Sequence, residues 1–194
     1  KTDAYGHGAV PVARTIDRFV CGYAVATVDE GLKLRRHGIE KEILCLGPVS
    51  AGRYQECLEN DISLPMFEYQ RAKELSDAAV AEGKTAKIHI AVDTGMSRIG
   101  LFPDEGSVEI VKEIAELPAL RIAGMFTHFA RADEADKTKA GEQYRRFHAF
   151  CDAGKAAGVE VPVCHCSNSA GIAEIREANM DMVRAGITLY GLWP

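Results

Sequence analysis

The chain has 194 residues, which is enough for one domain with a substantial hydrophobic core. Its 23 Lys and Arg residues and 28 Asp and Glu residues give a net charge of −5, which argues against a nucleic-acid partner held by bulk electrostatics. No apolar run in the sequence approaches the length of a membrane-spanning helix, so we expect this segment to make no membrane contact. Six cysteines scattered through apolar stretches are typical of a reduced, cytoplasmic protein, although the sequence leaves a membrane-attached parent protein open.

Short apolar runs alternate along the chain with amphipathic stretches. The predicted helices are residues 9–19, 28–37, 53–60, 69–82, 107–115, 137–157 and 169–177. The predicted strands are residues 22–26, 43–46, 64–67, 87–92, 120–126, 161–164 and 182–183. This alternation indicates a parallel α/β fold, in which a closed barrel and an open doubly wound sheet are the alternatives.

The first eight residues, Lys1-Thr2-Asp3-Ala4-Tyr5-Gly6-His7-Gly8, combine an amine, a phenol and two glycines. The amine of Lys1 can form a Schiff base with an aldehyde cofactor, and Tyr5 is close enough in sequence to reach the same ligand. Gly6 and Gly8 allow a tight turn and a close approach of the backbone to a phosphate. On these residues alone, a surface lysine before a glycine turn is an equal alternative.

Further polar residues follow the predicted strands at the point where each strand ends. They are Arg98 in residues 93–98, His128, residues 165–169 and residues 184–187. In eight-stranded barrels the chemistry gathers at the carboxyl ends of the strands, where residues from many strands converge. We therefore predict a (β/α)8 TIM-type barrel, and the position of Lys1 implies a further strand before it.

The two last polar stretches suit a phosphate. Barrels often bind phosphate in the loops after their seventh and eighth strands, at a helix N-terminus. Ser169 would offer a hydroxyl and an amide, and Gly186 and Ile187 would offer amides. The same Ser-Asn-Ser sequence is equally typical of a helix cap, and the two functions are compatible because a cap presents unpaired N–H groups to an anion.

Four motifs resemble those of the alanine racemases. The octapeptide is similar to the family's Lys-Ala-Asp/Asn-Ala-Tyr-Gly-His-Gly signature, with Thr2 in place of the usual alanine. Residues 92–100 resemble Val-Asp-Thr-Gly-Met-Gly-Arg-Ile-Gly, and residues 127–129 match the family's Thr-His-Phe. Residues 165–170 and 183–191 resemble its closing stretches, so the similarity covers nearly the whole chain in the family's own order.

The resemblance implies a PLP-dependent racemase, in which residues 1–194 are the barrel domain that binds pyridoxal 5′-phosphate (PLP). This domain would lack most of its first strand and would be followed in a longer chain by a C-terminal β domain. The implied reaction is the racemisation of a small amino acid, L-alanine to D-alanine, by two-base proton transfer at the α-carbon. Lys1 would be one base, and the partner subunit of a homodimer would supply a tyrosine as the second.

The resemblance also implies roles for single residues. Catalytic roles fall on Lys1, Arg98, His128 and Arg184. Arg98 would contact the cofactor's phenolic oxygen near the substrate carboxylate, and His128 would lie against the cofactor ring. Arg184 would face the pyridine nitrogen, held by His165; because arginine keeps its protons, the ring nitrogen would stay unprotonated and racemisation would be favoured over transamination. The other implied cofactor contacts are Tyr5, Asn168, Ser169, Gly186, Ile187 and Tyr190.

Several alternatives stay open at this point. A serine racemase of the same family and a barrel-only PLP-binding carrier without racemase activity both fit, whereas Arg184 argues against a relative that decarboxylates amino acids. Cys164-His165-Cys166 lacks a second Cys or His pair at zinc-finger spacing, so we expect no metal. The chain departs from the family at Ala91, where many alanine racemases carry a carbamylated lysine. We therefore expect an anion or water beside Arg98 and activity that is independent of carbon dioxide.

Overall fold

The computed structural model describes residues 2–194, so the predicted attachment lysine, Lys1, lies outside the described residues. The chain divides into two compact units. The first unit comprises the residues up to Pro65, together with Gln70–Ile88 and Leu117–Arg121. The second unit comprises Met66–Tyr69, His89–Glu116 and Ile122–Pro194.

Six parallel strands in residues 2–194 form a sheet in which spatial order follows chain order. They are β1 (Gly22–Val25), β2 (Glu42–Cys45), β3 (Ile62–Met66), β4 (Ala86–Ala91), β5 (Leu120–Phe126) and β6 (Cys164–His165). In the first unit Gly22 of β1 lies opposite Glu42 of β2, and in the second unit Met125 of β5 lies opposite Cys164 of β6. The predicted parallel α/β class is confirmed.

Helices connect the strands, as the alternating pattern predicts. They are α1 (Thr2–Tyr5), α2 (Ala9–Ile16), α3 (Val28–Arg36), α4 (Tyr54–Glu59), α5 (Tyr69–Ala81), α6 (Glu105–Ala115), α7 (Thr138–Ala156) and α8 (Ser169–Glu174). Short 3-10 helices occupy Asp17–Phe19, Ala51–Arg53, Arg176–Asn179 and Ile187–Tyr190. No helix in this part of the chain has the length and apolar character needed to cross a bilayer.

Helix α1 is a single turn of left-handed backbone. Its φ angles run from 48° at Thr2 to 58° at Ala4, a region that costs residues with a side chain roughly 1–2 kcal/mol each. Asp3 stabilises the turn, because its Oδ1 accepts hydrogen bonds from the Ala9 backbone N–H at 3.0 Å and from Lys33 Nζ at 2.8 Å. Gly6 and Gly8 follow with φ of 85° and 89°, so the predicted glycine turn is confirmed.

Helix α3 shows how local sequence places a helix on the sheet of the first unit. Thr27 accepts a hydrogen bond from the Glu30 backbone N–H, and the Glu30 carboxylate accepts one from the Thr27 N–H, which together form a capping box. One turn into the helix, Gly31 has no side chain where a Cβ would lie 3.0 Å from Cδ1 of Ile62. The helix can therefore approach the strands closely.

The core of the second unit is built from β4, β5, β6 and α7. Ile90, Met125 and Phe147 are completely buried, as continuous apolar runs predict for strands that are covered on both faces. Two histidines interrupt the apolar strands of this core, His89 in β4 and His165 in β6, with exposed fractions of 5% and 0%. Buried polar groups require hydrogen-bond partners, so we expect both histidines to be hydrogen-bonded within the core.

The predicted strand at residues 182–183 is wrong. The Asp181 N–H donates to the Cys164 carbonyl and the Arg184 N–H donates to the Ser167 carbonyl, so the two bonds are three residues apart on each segment. A parallel ladder needs donors at every second residue, and this spacing cannot continue as a strand.

The strand predicted at residues 161–164 is also shorter, because only Cys164–His165 forms β6. Pro162 has no N–H to give to a ladder, which explains the late start of β6. The helix predicted at residues 169–177 ends at Glu174 and is followed by the 3-10 helix Arg176–Asn179.

Candidate functional site

The guanidinium of Arg184 lies among backbone carbonyls in the second unit. Its Nη1 donates to Nδ1 of His165 at 2.5 Å and to the His165 carbonyl at 3.1 Å. Its Nη2 donates to the carbonyls of Thr127 at 2.6 Å and Cys166 at 3.1 Å. The residue as a whole is half-buried, and burial of its charge lowers the pKa of Arg184 to about 10. The side chain is still protonated at neutral pH.

His165 is held between this arginine and a second histidine. Its ring stacks on Phe126, with centroids 5.4 Å apart and planes 17° apart. Its Nε2 lies 2.9 Å from Nδ1 of His89. Burial, followed by the charge of Arg184, holds the pKa of His165 well below its usual range, so the ring is neutral at physiological pH. The predicted pairing of His165 with Arg184 is therefore present in the structure.

The loops predicted to bind phosphate come together in the second unit. Ser169 Oγ accepts hydrogen bonds from the Gly186 N–H at 3.0 Å, and the Thr188 hydroxyl lies 3.2 Å from the same oxygen. Asn168 caps α8, because its side chain accepts from the Gly171 N–H at 3.0 Å. Ile187 begins the 3-10 helix that ends at Tyr190. The five predicted contacts of this region therefore lie on two segments that the bond between Gly186 and Ser169 joins; they are Asn168, Ser169, Gly186, Ile187 and Tyr190.

His128 follows β5 in a loop that is hydrogen-bonded to Gln143 of α7. Gln143, which is 5% exposed, donates through Nε2 to the His128 carbonyl and to Thr94 Oγ1, both at 3.1 Å. Its Oε1 accepts from the Ala130 N–H at 3.0 Å, and Thr94 Oγ1 lies 2.8 Å from Thr127 Oγ1. The side chain of Gln143 therefore ties the loop that carries His128 to the loop that follows β4. Gln143 could not be identified from the sequence, because a lone glutamine in an amphipathic helix has no distinguishing signal.

Arg98 lies in the loop after β4, and this loop is shaped by Asp93. The Asp93 carboxylate accepts from the backbone N–H groups of Gly95 at 2.9 Å and Ser97 at 3.0 Å. The Arg98 side chain is exposed, whereas Ala91 is 1% exposed. An exposed guanidinium is solvated by water. Because Arg98 does not pay the desolvation cost of a partly buried guanidinium, the described residues do not support the predicted anion beside it.

The second unit brings several of the predicted site residues together. His165 and Arg184 are in contact, and Asn168, Ser169, Gly186 and Ile187 form one loop pair. Tyr5 lies in the first unit, where it is 40% exposed, and Lys1 is outside the described residues. Within residues 2–194, no group of three or more His, Cys, Asp or Glu side chains is arranged to hold a metal ion.

Comparison with known proteins gives a consistent result. The family described as "Alanine racemase, N-terminal domain" matches residues 1–194. The alanine racemase of Clostridium novyi is 46% identical over 195 residues, which cover 100% of this chain and 50% of that protein. The solved alanine racemase of Clostridium difficile 630 superposes with a TM-score of 0.97 at 39% identity, covering 99% of this chain and 50% of that chain.

A second solved structure, the alanine racemase from Bacillus anthracis with bound L-Ala-P, superposes with a TM-score of 0.91 at 36% identity. It covers 99% of this chain and 50% of that chain. The chain thus spans about half the length of the curated relatives that it matches. The match over its full length shows that the chain belongs to the alanine racemase family.

Proposed function

We propose that the chain is the cofactor-binding part of a PLP-dependent racemase that interconverts L-alanine and D-alanine. Family membership supports the reaction class, and the bound L-Ala-P in the Bacillus anthracis relative supports an alanine-type ligand. One structural observation carries the proposal: the guanidinium of Arg184 donates hydrogen bonds to three backbone carbonyls, those of Thr127, His165 and Cys166. In this proposal residues 1–194 form the PLP-binding (β/α)8 barrel domain of a longer chain.

The residues present fit PLP by the chemistry of their donors. Ser169 Oγ accepts from the N–H groups of Gly186 at 3.0 Å and Thr188 at 3.4 Å, so the two loops hold a hydroxyl and two backbone N–H groups together, which are the donor types that bind a phosphate. The four hydrogen bonds of Arg184 use only Nη1 and Nη2, so within residues 2–194 its Nε–H is left to donate to a ring nitrogen. When bound, PLP supplies an electron sink that makes the α-proton of an amino acid removable.

Arg184 would limit the electron-withdrawing strength of the cofactor ring by leaving the ring nitrogen unprotonated. A guanidinium holds its proton at neutral pH, so it donates a hydrogen bond to the ring nitrogen without protonating it. The three carbonyls and His165 saturate Nη1 and Nη2 and prevent the side chain from turning away. A weaker electron sink would favour return of a proton to the α-carbon, and therefore racemisation over transamination.

The remaining assignments concern binding and proton transfer. Lys1 would hold the cofactor covalently and then move a proton at one face of the α-carbon. Tyr5, Asn168, Ile187 and Tyr190 would make further contacts to the cofactor, while His128 and Arg98 would hold the ring and its phenolic oxygen. The opposite face requires a second base, which we assign to the partner subunit of a homodimer.

A racemisation assay of the full-length protein tests this proposal. With PLP present, L-alanine should yield D-alanine, and the Lys1→Ala variant should lose this activity. Faster conversion of L-serine would favour the serine-racemase alternative. Retention of PLP without inversion of either amino acid would favour a carrier and would overturn the proposed function.

A further inference from the structure

His89 in β4 has no role in the function proposed above, yet it is buried beside the histidine that holds Arg184. Its Nδ1 lies 2.9 Å from Nε2 of His165, and the two rings meet edge to face, with centroids 5.1 Å apart and planes 74° apart. Phe126 stacks on one face of the His165 ring. The ring of His165 is therefore confined by an aromatic face, an arginine and a second imidazole.

The direction of each hydrogen bond follows from which group can accept. Arginine has no acceptor, so the contact between Arg184 Nη1 and His165 Nδ1 requires Nδ1 to be the unprotonated nitrogen. A neutral His165 then carries its proton on Nε2 and donates it to Nδ1 of His89. Hydrogen bonds are thus donated from Arg184 to His165 and from His165 to His89. The second bond requires an acceptor at the Nδ1 position of His89.

The backbone of β5 independently reserves space for the His89 ring. A Cβ at Gly124 would lie 2.7 Å from Nδ1 and 2.8 Å from Cε1 of His89, and also 2.7 Å from the Val163 carbonyl oxygen. Distances below 3.0 Å are not tolerated by real side chains. The absence of a side chain on Gly124 allows the ring of His89 to pack closely against β5, where its Nδ1 lies 2.9 Å from Nε2 of His165.

We propose that His89 is a positioning residue, which fixes Arg184 through His165 by accepting the Nε2–H of the His165 ring. The catalytic significance of this role rests on the proposed function. Without the acceptor, a buried N–H would be left unsatisfied, and the His165 ring would shift to find a partner. Since Arg184 donates to both Nδ1 and the carbonyl of His165, a shift of the ring would loosen the guanidinium.

Two substitutions of nearly equal size isolate the acceptor in the full-length protein. His89→Asn places its amide oxygen near the position of Nδ1, whereas His89→Leu fills the same volume without an acceptor. We expect H89L to lower kcat about tenfold with KM little changed, the scale observed when a supporting partner of a functional group is lost. H89N should remain within about threefold of the wild-type kcat, because a normal hydrogen bond is restored.

Nuclear magnetic resonance of the cofactor-free protein, labelled with ¹⁵N in histidine and arginine, gives a readout that does not depend on activity. The wild type and H89N should show a slowly exchanging proton on Nε2 of His165 and separate Nη signals for a restrained Arg184. In H89L the proton should exchange about tenfold faster and the Nη signals should merge, as expected for the loss of one buried hydrogen bond.

The outcomes separate this inference from the proposed function. If the protein racemises neither alanine nor serine, the proposed function fails, and the spectra alone decide whether His89 positions Arg184. If H89N and H89L behave alike in spectra and kinetics, His89 only fills the core and the inference is overturned. Should H89L not fold, Gly124→Ala displaces the same ring, and wild-type spectra for that variant would equally overturn it.

Discussion

At the scale of single residues, the site is controlled by one cation that is bound almost entirely to neutral acceptors. Arg184 donates to three carbonyls and to the imidazole of His165. Among residues 2–194 it forms no ion pair, which leaves its positive charge available to a ligand. A fixed cation of this kind can polarise a ring nitrogen without exchanging a proton with it.

A lysine at position 184 keeps the charge and removes the planar fork, which makes Arg184→Lys a direct test. An ammonium group cannot reach three carbonyls and an imidazole in one plane, so the cation should become mobile. We expect racemisation by the full-length protein to fall about tenfold or more. Steady-state kinetics would show this, with Arg176→Lys as the control because Arg176 is exposed. Wild-type kinetics for R184K would contradict the role of the fork.

The depressed pKa of His165 makes stability depend on pH. The ordinary pKa of histidine is near 6.5, and burial together with the charge of Arg184 keeps the folded value well below this. Between these two values the unfolded chain binds a proton that the folded chain rejects. The stabilising effect is therefore complete above pH 6.5 and is lost as the pH falls. The free energy of unfolding should therefore decrease between pH 7.5 and 5.5 because of this residue.

Denaturant unfolding at three pH values measures this effect. The His165→Gln variant has no titrating imidazole, so its stability should change less with pH in this range, whatever its absolute stability. Comparison of the two slopes removes the contribution of all other titrating groups. Equal slopes for the wild type and H165Q would exclude His165 as the source.

At the scale of elements, the sequence predicted the helices better than the strand ends. Helix α3 begins at Val28, as the apolar periodicity predicts, and the capping box of Thr27 and Glu30 fixes this start. The left-handed turn α1 has a weak signal, because only Asp3 in Thr2–Tyr5 belongs to a residue type that tolerates positive φ. The strand predicted at residues 182–183 does not form. Its hydrogen bonds to Cys164 and Ser167 depend on how the chain returns to β6, and the local sequence does not show this.

The turn α1 should depend on the acceptor that Asp3 provides. The backbone N–H of Ala9, and then the ammonium group of Lys33, lower the pKa of Asp3. Asp3→Asn keeps an acceptor for the Ala9 N–H and a residue type suited to positive φ, whereas Asp3→Ala removes both. We expect the Ala9 amide hydrogen to exchange about fivefold to tenfold faster in D3A, on the scale of one lost hydrogen bond, and to change little in D3N.

Amide hydrogen exchange measured by mass spectrometry or NMR can compare these variants directly. The ion pair between Asp3 and Lys33 is largely exposed, so its loss in D3N should have a small effect. If D3A and D3N exchange at the same rate, the ion pair rather than the backbone contact stabilises the turn.

At the scale of the whole molecule, the order of elements and the family were predictable, whereas the hydrogen-bond partners were not. Alternating apolar runs predicted the parallel α/β class, and four motifs in order predicted the family. His89 gave no signal, because a histidine within the apolar run of β4 resembles an ordinary core residue. Its significance depends on β6 and β5, which bring His165 and Gly124 beside it from distant parts of the sequence.

The proposed division of proton transfer makes a prediction for a protein consisting of residues 1–194 alone. Racemisation requires a proton to leave one face of the α-carbon and another to arrive at the opposite face. Our assignments within this chain supply one such group, Lys1. A single base can remove a proton and return one only to the face from which it came. The segment should therefore exchange the α-proton of one enantiomer of alanine with solvent without inverting it.

Incubation with PLP in deuterium oxide distinguishes exchange from inversion. After far-UV circular dichroism has established that the segment is folded, proton NMR follows the loss of the α-proton from L-alanine and D-alanine separately, and chiral chromatography measures inversion. Deuterium should enter one enantiomer with retention of configuration, and Lys1→Ala should abolish this exchange. Inversion at the rate of the full-length protein would show that residues 1–194 contain both bases, and the assignment of the second base to a partner subunit would then be wrong.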